Sequence, residues 1–175
     1  MLKEYRFTWL FVVSVLVFML VSSAAHAAAP AVEKLLPEKG DVPGFTIMSD
    51  SLNYGKGEGI TSIYDGGYEL YTRNGVVDAA RQMYQRRKDF VEVTVHTMKS
   101  EKAAKDFVKY WAKERQVSKV TTSKRATGFV TVKPNVMAYY AMGKYFVTVS
   151  AFYPAERATK DVNAFINVIE SRSAK

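Results

Sequence analysis

Alternating apolar and polar residues predict an antiparallel hairpin in the middle of the chain. Within residues 90–98, three valines alternate with polar side chains, the period of two that is typical of a strand with one buried face. Residues 76–86 form the partner strand, and the short polar link at 87–89 favours an antiparallel connection. The inward positions are Val91, Val93 and Val95, and the outward positions are Glu92, Thr94 and His96. We therefore expect His96 to face solvent.

A spacing of three and four residues predicts three helices. The first covers residues 60–71, with Asn74 and Gly75 ending it. The second follows Ser100, which is a good N-cap, and the third covers residues 159–172. The inward residues are Ile60, Ile63, Tyr64, Gly67 and Tyr71 in the first helix, Ala104, Phe107, Val108 and Trp111 in the second, and Val162, Phe165, Ile166 and Ile169 in the third.

Further short strands complete the predicted fold. They lie at residues 45–48, 129–133, 136–142 and 145–153, and Gly143-Lys144 supplies a two-residue turn between the last two. Strands joined by hairpins, with helices between the strand groups, favour an antiparallel sheet over a parallel one. The sequence therefore predicts an α+β fold, an antiparallel β-sheet packed with about three α-helices.

The first residues have the layout of a secretory signal peptide. Basic residues precede an apolar run at 7–21, and the small residues of Ala25-His26-Ala27 follow. The run is shorter than the roughly 20 residues that cross a bilayer, but an uncleaved anchor in the inner membrane is the alternative. We expect a signal peptide at 1–27, an Ala/Pro-rich tether at 28–43 and a single α+β domain at 44–175. The expected location is the periplasm or the medium.

Composition and charge narrow the classes of function. The chain has no cysteine, which excludes a lipoprotein anchor, a thiol nucleophile and a cysteine-based metal site. Its net charge of +8 attracts anionic partners, and for an exported protein an envelope component is a better match than nucleic acid, which we do not expect. The candidate anion-binding surface consists of Lys102, Lys105, Lys109 and Lys113. A solvated helix face has the same pattern.

Residues 63–71 carry a resemblance to a known family. Their sequence, Ile-Tyr-Asp-Gly-Gly-Tyr-Glu-Leu-Tyr, resembles the Asp-Gly-Gly-x-Glu-Leu-Tyr segment of an uncharacterised family of exported bacterial proteins, a domain of unknown function. The similarity extends through the strand at 91–95 and the helix after Ser100, about the middle half of the chain. It implies an α+β fold and an extracytoplasmic location, with no agreed activity.

The same segment holds the candidate ligand-binding residues. Asp65 and Glu69 lie four residues apart, so on a helix their carboxylates converge in a pair suited to acid/base chemistry or to a hard cation. The structural alternative makes them the solvated face of the helix. Tyr64, Tyr68 and Tyr71 add flat apolar faces with polar tips, which suit either a pocket or a core.

The absence of known catalytic motifs favours binding over catalysis. A hydrolase nucleophile elbow, a zinc-binding His-Glu-x-x-His and a Ser-x-x-Lys pair are all absent from residues 28–175, and His96 has no second histidine near it for a metal. We assign no catalytic residue, no metal and no cofactor. The expected function is a non-catalytic binding or interaction domain with residues 60–71 and the adjoining sheet surface facing the ligand. The alternatives are a carboxylate-dependent enzyme or cation-binding domain at Asp65 and Glu69, a basic domain docking on anionic envelope surfaces, and a purely structural envelope protein.

Overall fold

The fold is built on one antiparallel sheet. A computed structural model describes residues 31–174, so the predicted signal peptide and its cleavage site lie outside the described residues. The sheet has eight strands. They are β1 (Thr46–Ile47), β2 (Asn53–Lys56), β3 (Val76–Arg86), β4 (Asp89–Met98), β5 (Thr121–Thr122), β6 (Ala126–Thr131), β7 (Val136–Met142) and β8 (Tyr145–Ala151).

Two hairpin groups meet side by side in this sheet. The strand order is β1-β3-β4-β8-β7-β6-β5, with β2 also pairing with β3. The β3–β4 hairpin turns at Arg87 and Lys88, and Val93 of β4 lies opposite Val149 of β8. The α+β prediction is confirmed. The helices are α1 (Tyr68–Arg73), α2 (Glu101–Glu114) and α3 (Ala155–Ser173), together with 3-10 turns at Glu33–Leu35 and Gly57–Ser62.

One face of the sheet packs against α3. Val91, Val93 and Val95 point to this side, as their alternation predicts, and α3 buries Val162 and Phe165 over them. Val32, Leu35, Leu36 and Val42 also lie in this core. Residues 32–43 therefore belong to the packed domain, and the predicted boundary at residue 44 is too late, because the apolar residues between the prolines bury themselves against α3.

The opposite face packs against α2. Ser100 caps this helix as predicted, since its hydroxyl accepts a hydrogen bond of 3.1 Å from the Ala103 amide. The buried face of α2 includes Ala104, Phe107 and Val108 over Phe146 of β8. His96 points into this core and is fully buried, so the expectation of a solvent-facing histidine is wrong. The alternation on β4 is real, but both faces of the strand are covered.

The predicted helix at 60–71 is also wrong. The chain instead forms the 3-10 turn Gly57–Ser62, a bend, and then α1 at Tyr68–Arg73. Gly66 and Gly67 separate the two pieces with φ angles of 83° and 71°, a left-handed conformation that interrupts a right-handed helix. The apolar residues at helical spacing do turn inward, since Ile60 and Ile63 are buried.

Candidate functional site

Residues 57–73, which we call the cap segment, lie against one side of the α2-facing sheet surface. Two polar contacts fix the segment to the strands below. The Tyr64 hydroxyl forms a short hydrogen bond with Nε2 of His96, and Nη1 of Arg81 donates to the Ile63 carbonyl at 2.8 Å. Tyr64 also stacks on Tyr71 with ring centroids 3.8 Å apart. The cap segment therefore presents a pair of stacked tyrosines beside the sheet.

His96 has a defined tautomer in this arrangement. Its Nδ1 lies 2.8 Å from the Phe146 carbonyl oxygen, which only accepts hydrogen bonds, so Nδ1 carries the proton. Nε2 is then the acceptor, and the Tyr64 hydroxyl donates to it. Burial lowers the pKa of His96 to about 4, against the opposing effect of the bond to Phe146. The imidazole is neutral at physiological pH, and both of its nitrogens are occupied.

Polar side chains occupy the sheet between the cap segment and α2. Thr94 and Thr148 lie directly opposite each other on β4 and β8, and Glu92 lies opposite Ser150 two residues along. Facing side chains in an antiparallel pair are about 5 Å apart, and positions two residues apart on a strand are separated by about 7 Å. These four residues and Arg81 of β3, which pairs with Thr94, form what we call the polar sheet surface.

The polar sheet surface is recessed and carries two opposite charges. Thr94 is 2% exposed and Ser150 5%, whereas the side chains of Arg81 and Glu92 each retain 28% exposure. Nη1 of Arg81 lies 3.9 Å from Oε2 of Glu92, well beyond the 2.7–2.9 Å or so of a charge-assisted hydrogen bond. Burial raises the pKa of Glu92, and Arg81 opposes that shift only in part. The carboxylate is thus partly desolvated without a close donor.

The C-terminal end of α2 forms the other side of the site. Arg115 follows the helix and donates through Nε to the Tyr139 hydroxyl at 3.0 Å. Its guanidinium lies over the rings of Trp111 and Tyr139, which stack on each other with centroids 5.3 Å apart. Nε1 of Trp111 is buried and has no hydrogen-bond partner among residues 31–174. An unsatisfied buried donor costs about 1–3 kcal/mol until an acceptor reaches it.

The electrostatics of the tyrosines connect the two sides. Burial raises the pKa of Tyr64 well above its usual value, and the neighbouring Tyr71 and Glu92 raise it further. Burial likewise raises the pKa of Tyr71, and Arg115 acts in the opposite direction. Both phenols are therefore protonated hydrogen-bond donors at neutral pH, and Glu92 and Arg115 shift the pKa of Tyr71 in opposite directions.

Comparison with known proteins identifies a structural neighbour. No protein-family model and no curated protein matches the chain by sequence. Among solved structures, the chain is similar to the extracellular domain of PknH from Mycobacterium tuberculosis, with a TM-score of 0.50 and 11% sequence identity. The match covers 80% of this chain and 95% of that domain. This identity shows a shared fold only, and the resemblance to a domain of unknown function stays a prediction.

The ligand-binding candidates from the sequence separate into two groups in space. Tyr64 and Tyr71 stand beside the polar sheet surface, and Tyr68 is half-buried against the α2 core. Asp65 and Glu69 are exposed to solvent. Asp65 lies before the glycines that break the predicted helix, and Glu69 lies in the first turn of α1. The helical spacing that was expected to bring these carboxylates together is therefore absent.

The lysine stripe lies on α2 as predicted, but acids on the same helix balance most of its charge. Lys102 and Lys105 form ion pairs of 2.6 Å with Asp106 and Glu101, and Lys109 lies 3.3 Å from Asp106. Lys113 is exposed in the last turn. Exposed pairs of this kind contribute little stability, but they reduce the net positive field that an anionic surface experiences.

Sequence reasoning missed Arg81, Glu92, Thr148 and Ser150. A signal for them existed in β8, where polar residues at 148 and 150 alternate with Val147 and Val149. Such alternation on a strand next to a similar β4 predicts adjacent polar positions once the two strands pair. Along the chain, α2 and three further strands separate β4 from β8. The alternation within each strand therefore does not show that the two strands pair.

Proposed function

We propose that this chain is an exported, non-catalytic binding domain whose ligand site is the polar sheet surface between the cap segment and α2. We include a sensor-like role in the proposal because the structural neighbour is likewise an extracellular domain. The proposal keeps the cap segment and the adjoining sheet as the ligand-facing region and replaces Asp65 and Glu69 with Arg81 and Glu92 as its charged residues.

The observation that carries the proposal is the open Arg81–Glu92 pair. Buried charges are normally paired closely and hydrogen-bonded, because desolvation of an ion is costly. Here the two groups stand 3.9 Å apart above the recessed hydroxyl residues Thr94 and Ser150. A ligand that supplies partners to both charges recovers that cost, and a small number of convergent polar groups is characteristic of binding sites.

The same geometry favours binding over catalysis. A general base must be free to reach its proton, and His96 has both nitrogens in hydrogen bonds beneath the cap segment. The described residues contain no cluster of three or more histidine or acidic side chains suited to a metal. Glu92 is the remaining candidate base beside Thr94 and Ser150, and we assign it to holding a charged ligand because it lies 3.9 Å from the Arg81 guanidinium.

Export is supported by two independent features. The N-terminal sequence has the order of a signal peptide, and the domain that shares this fold is extracellular in PknH. None of the helices between residues 31 and 174 combines the length and the hydropathy that a membrane span requires.

A thermal-shift screen of the purified protein tests this function. The probes are L-leucine, L-glutamate, glucose, N-acetylglucosamine and inorganic phosphate, because a ligand that binds the folded state raises its melting temperature. We expect at least one probe to produce a saturable shift that disappears in the double variant Thr94→Val with Ser150→Ala.

The matched control is Thr97→Val. Thr97 lies on the same strand as Thr94 but at the alternate position, towards the α3 face. The shift should survive this substitution. A shift that persists in the double variant, or an absence of any shift across the five probes at millimolar concentration, would contradict the proposed site.

A further inference from the structure

We propose that the polar sheet surface recognises an α-amino acid zwitterion, with the ligand's ammonium group on Glu92 and its carboxylate on Arg81. This inference rests on the proposed function and assigns its ligand class. The two protein charges are neighbours of opposite sign, and an α-amino acid carries its own two opposite charges on substituents of a single carbon atom.

Charge balance selects a zwitterion over other small ligands. An anion would gain contact with Arg81 but would bring like charge towards Glu92, which lies 3.9 Å away. A simple cation meets the reverse problem. A neutral sugar forms hydrogen bonds with both groups but adds no counter-charge for the partly buried Glu92 carboxylate beyond that of Arg81 at 3.9 Å. A ligand with both charges satisfies Arg81 and Glu92 together.

The free donors at the site match the rest of an α-amino acid. Arg81 uses one N–H on the Ile63 carbonyl, and a guanidinium has five, so others remain for a carboxylate. The hydroxyls of Thr94, Thr148 and Ser150 both donate and accept hydrogen bonds. They lie on the strands beside the charged pair, Thr148 being the most exposed of the three, and would supply the remaining hydrogen bonds of the ammonium or carboxylate group.

Two methionines border the site and indicate the preferred side chain. Met83 lies opposite Glu92 on β3, and Met137 lies opposite Ser150 on β7. Both side chains are half-buried. Methionine is flexible and packs against apolar groups of varied shape. Amino acids with apolar side chains should therefore bind more tightly than glycine or aspartate.

Isothermal titration with L-leucine and its charge-blocked analogues tests this ligand class. N-acetyl-leucine lacks the ammonium group, leucinamide lacks the carboxylate, and leucyl-leucine separates the two charges. We expect leucine to bind at least tenfold more tightly than each analogue. Leucyl-leucine could instead bind as tightly as leucine while N-acetyl-leucine and leucinamide bind weakly. The natural ligand would then be a short peptide, and the assignment of its ammonium to Glu92 and its carboxylate to Arg81 would hold.

Glu92→Gln supplies the decisive variant, with Glu114→Gln as its control on the exposed end of α2. The first should weaken the binding of leucine at least tenfold but should not weaken that of N-acetyl-leucine, which has no ammonium group for Glu92 and whose carboxylate is released from repulsion by it. The second should change neither affinity. Equal binding of leucine and both blocked analogues, or full leucine affinity in Glu92→Gln, would overturn the zwitterion assignment.

The outcomes also separate this inference from the function on which it rests. Binding of glucose or N-acetylglucosamine that is lost in the Thr94→Val, Ser150→Ala variant, without leucine binding, would reject the zwitterion and retain the site. An absence of binding by leucine and by every other probe would reject both.

Discussion

At the scale of single residues, His96 shows how burial sets the chemistry of a side chain. It is fully buried between Phe146 and the aromatic pair Tyr64 and Tyr71. Neighbouring groups do not stabilise a charged imidazolium enough to offset its burial, so the pKa of His96 falls to about 4. The histidine acts as a neutral link that accepts from Tyr64 and donates to Phe146.

This pKa predicts a loss of stability on acidification. The unfolded chain binds a proton at His96 near pH 6.5, whereas the folded protein resists it until about pH 4. The free energy of unfolding should therefore fall between these two values by up to about 1.4 kcal/mol per pH unit from this residue. Urea unfolding at pH 7, 6, 5 and 4.5 measures this change in the free energy of unfolding.

The control is the double variant His96→Phe with Tyr64→Phe, which removes both ends of the hydrogen bond. It should lose this pH dependence while keeping the opposite effect of Glu92, whose raised pKa makes the folded state gain stability as that carboxyl is protonated. Parallel pH profiles for the wild type and the double variant would show that His96 does not titrate as described.

At the scale of elements, glycines shape the cap segment. Gly55 permits β2 to approach the 3-10 turn, because a Cβ there would lie 2.2 Å from the Gly59 carbonyl oxygen. Gly66 and Gly67 then turn the chain through left-handed conformations between the 3-10 turn and α1. This break places Tyr64 and Tyr71 against each other, an arrangement that a continuous helix at 60–71 would not produce.

Substitution of the second glycine should destabilise the protein through the backbone alone. Gly67 has a φ of 71° and open space around the position of a Cβ, so Gly67→Ala adds strain without a clash. We expect a loss of about 1–2 kcal/mol in the free energy of unfolding. Chemical denaturation at neutral pH measures it.

Gly59→Ala is the matched control. Gly59 also has open space but lacks a positive φ, so alanine should leave stability unchanged or raise it by about 0.4–1 kcal/mol. Equal losses in the two variants would mean that the left-handed backbone at Gly67 is not the cause.

At the scale of the whole molecule, helices cover both faces of the sheet. One core lies under α3 and the other under α2, and β4 contributes Val93 to the first and His96 to the second. The N-terminal 3-10 turn adds Leu35 and Leu36 to the α3 core. Arg172 of α3 ties this segment down through Asp41 and the Lys34 carbonyl.

Leu35→Ala tests whether the N-terminal segment contributes to folding. Leu35 is 7% exposed, so its truncation should cost about 2–4 kcal/mol, within the range for buried leucines. Leu52→Ala is the control, because Leu52 is 48% exposed and should cost less than about 1 kcal/mol. A negligible effect at Leu35 would instead indicate a loosely attached tether.

The features that the sequence predicted correctly depend on local physics. The Val91, Val93 and Val95 alternation, the Ser100 cap and the inward face of α3 are each decided by residues within a few positions of one another. Periodicity and capping need no knowledge of distant partners. These features were sufficient to determine the α+β class and most of the strands.

Tertiary structure decided the burial of His96, the packing of residues 32–43 and the make-up of the polar sheet surface. Each depends on segments far apart in the chain, such as Tyr64 over His96 and Ser150 beside Glu92. A period of two shows that the faces of β4 differ, but not what covers each face. The α+β class was therefore readable from the sequence, whereas the meeting of Arg81 with Glu92 required the sheet to be assembled.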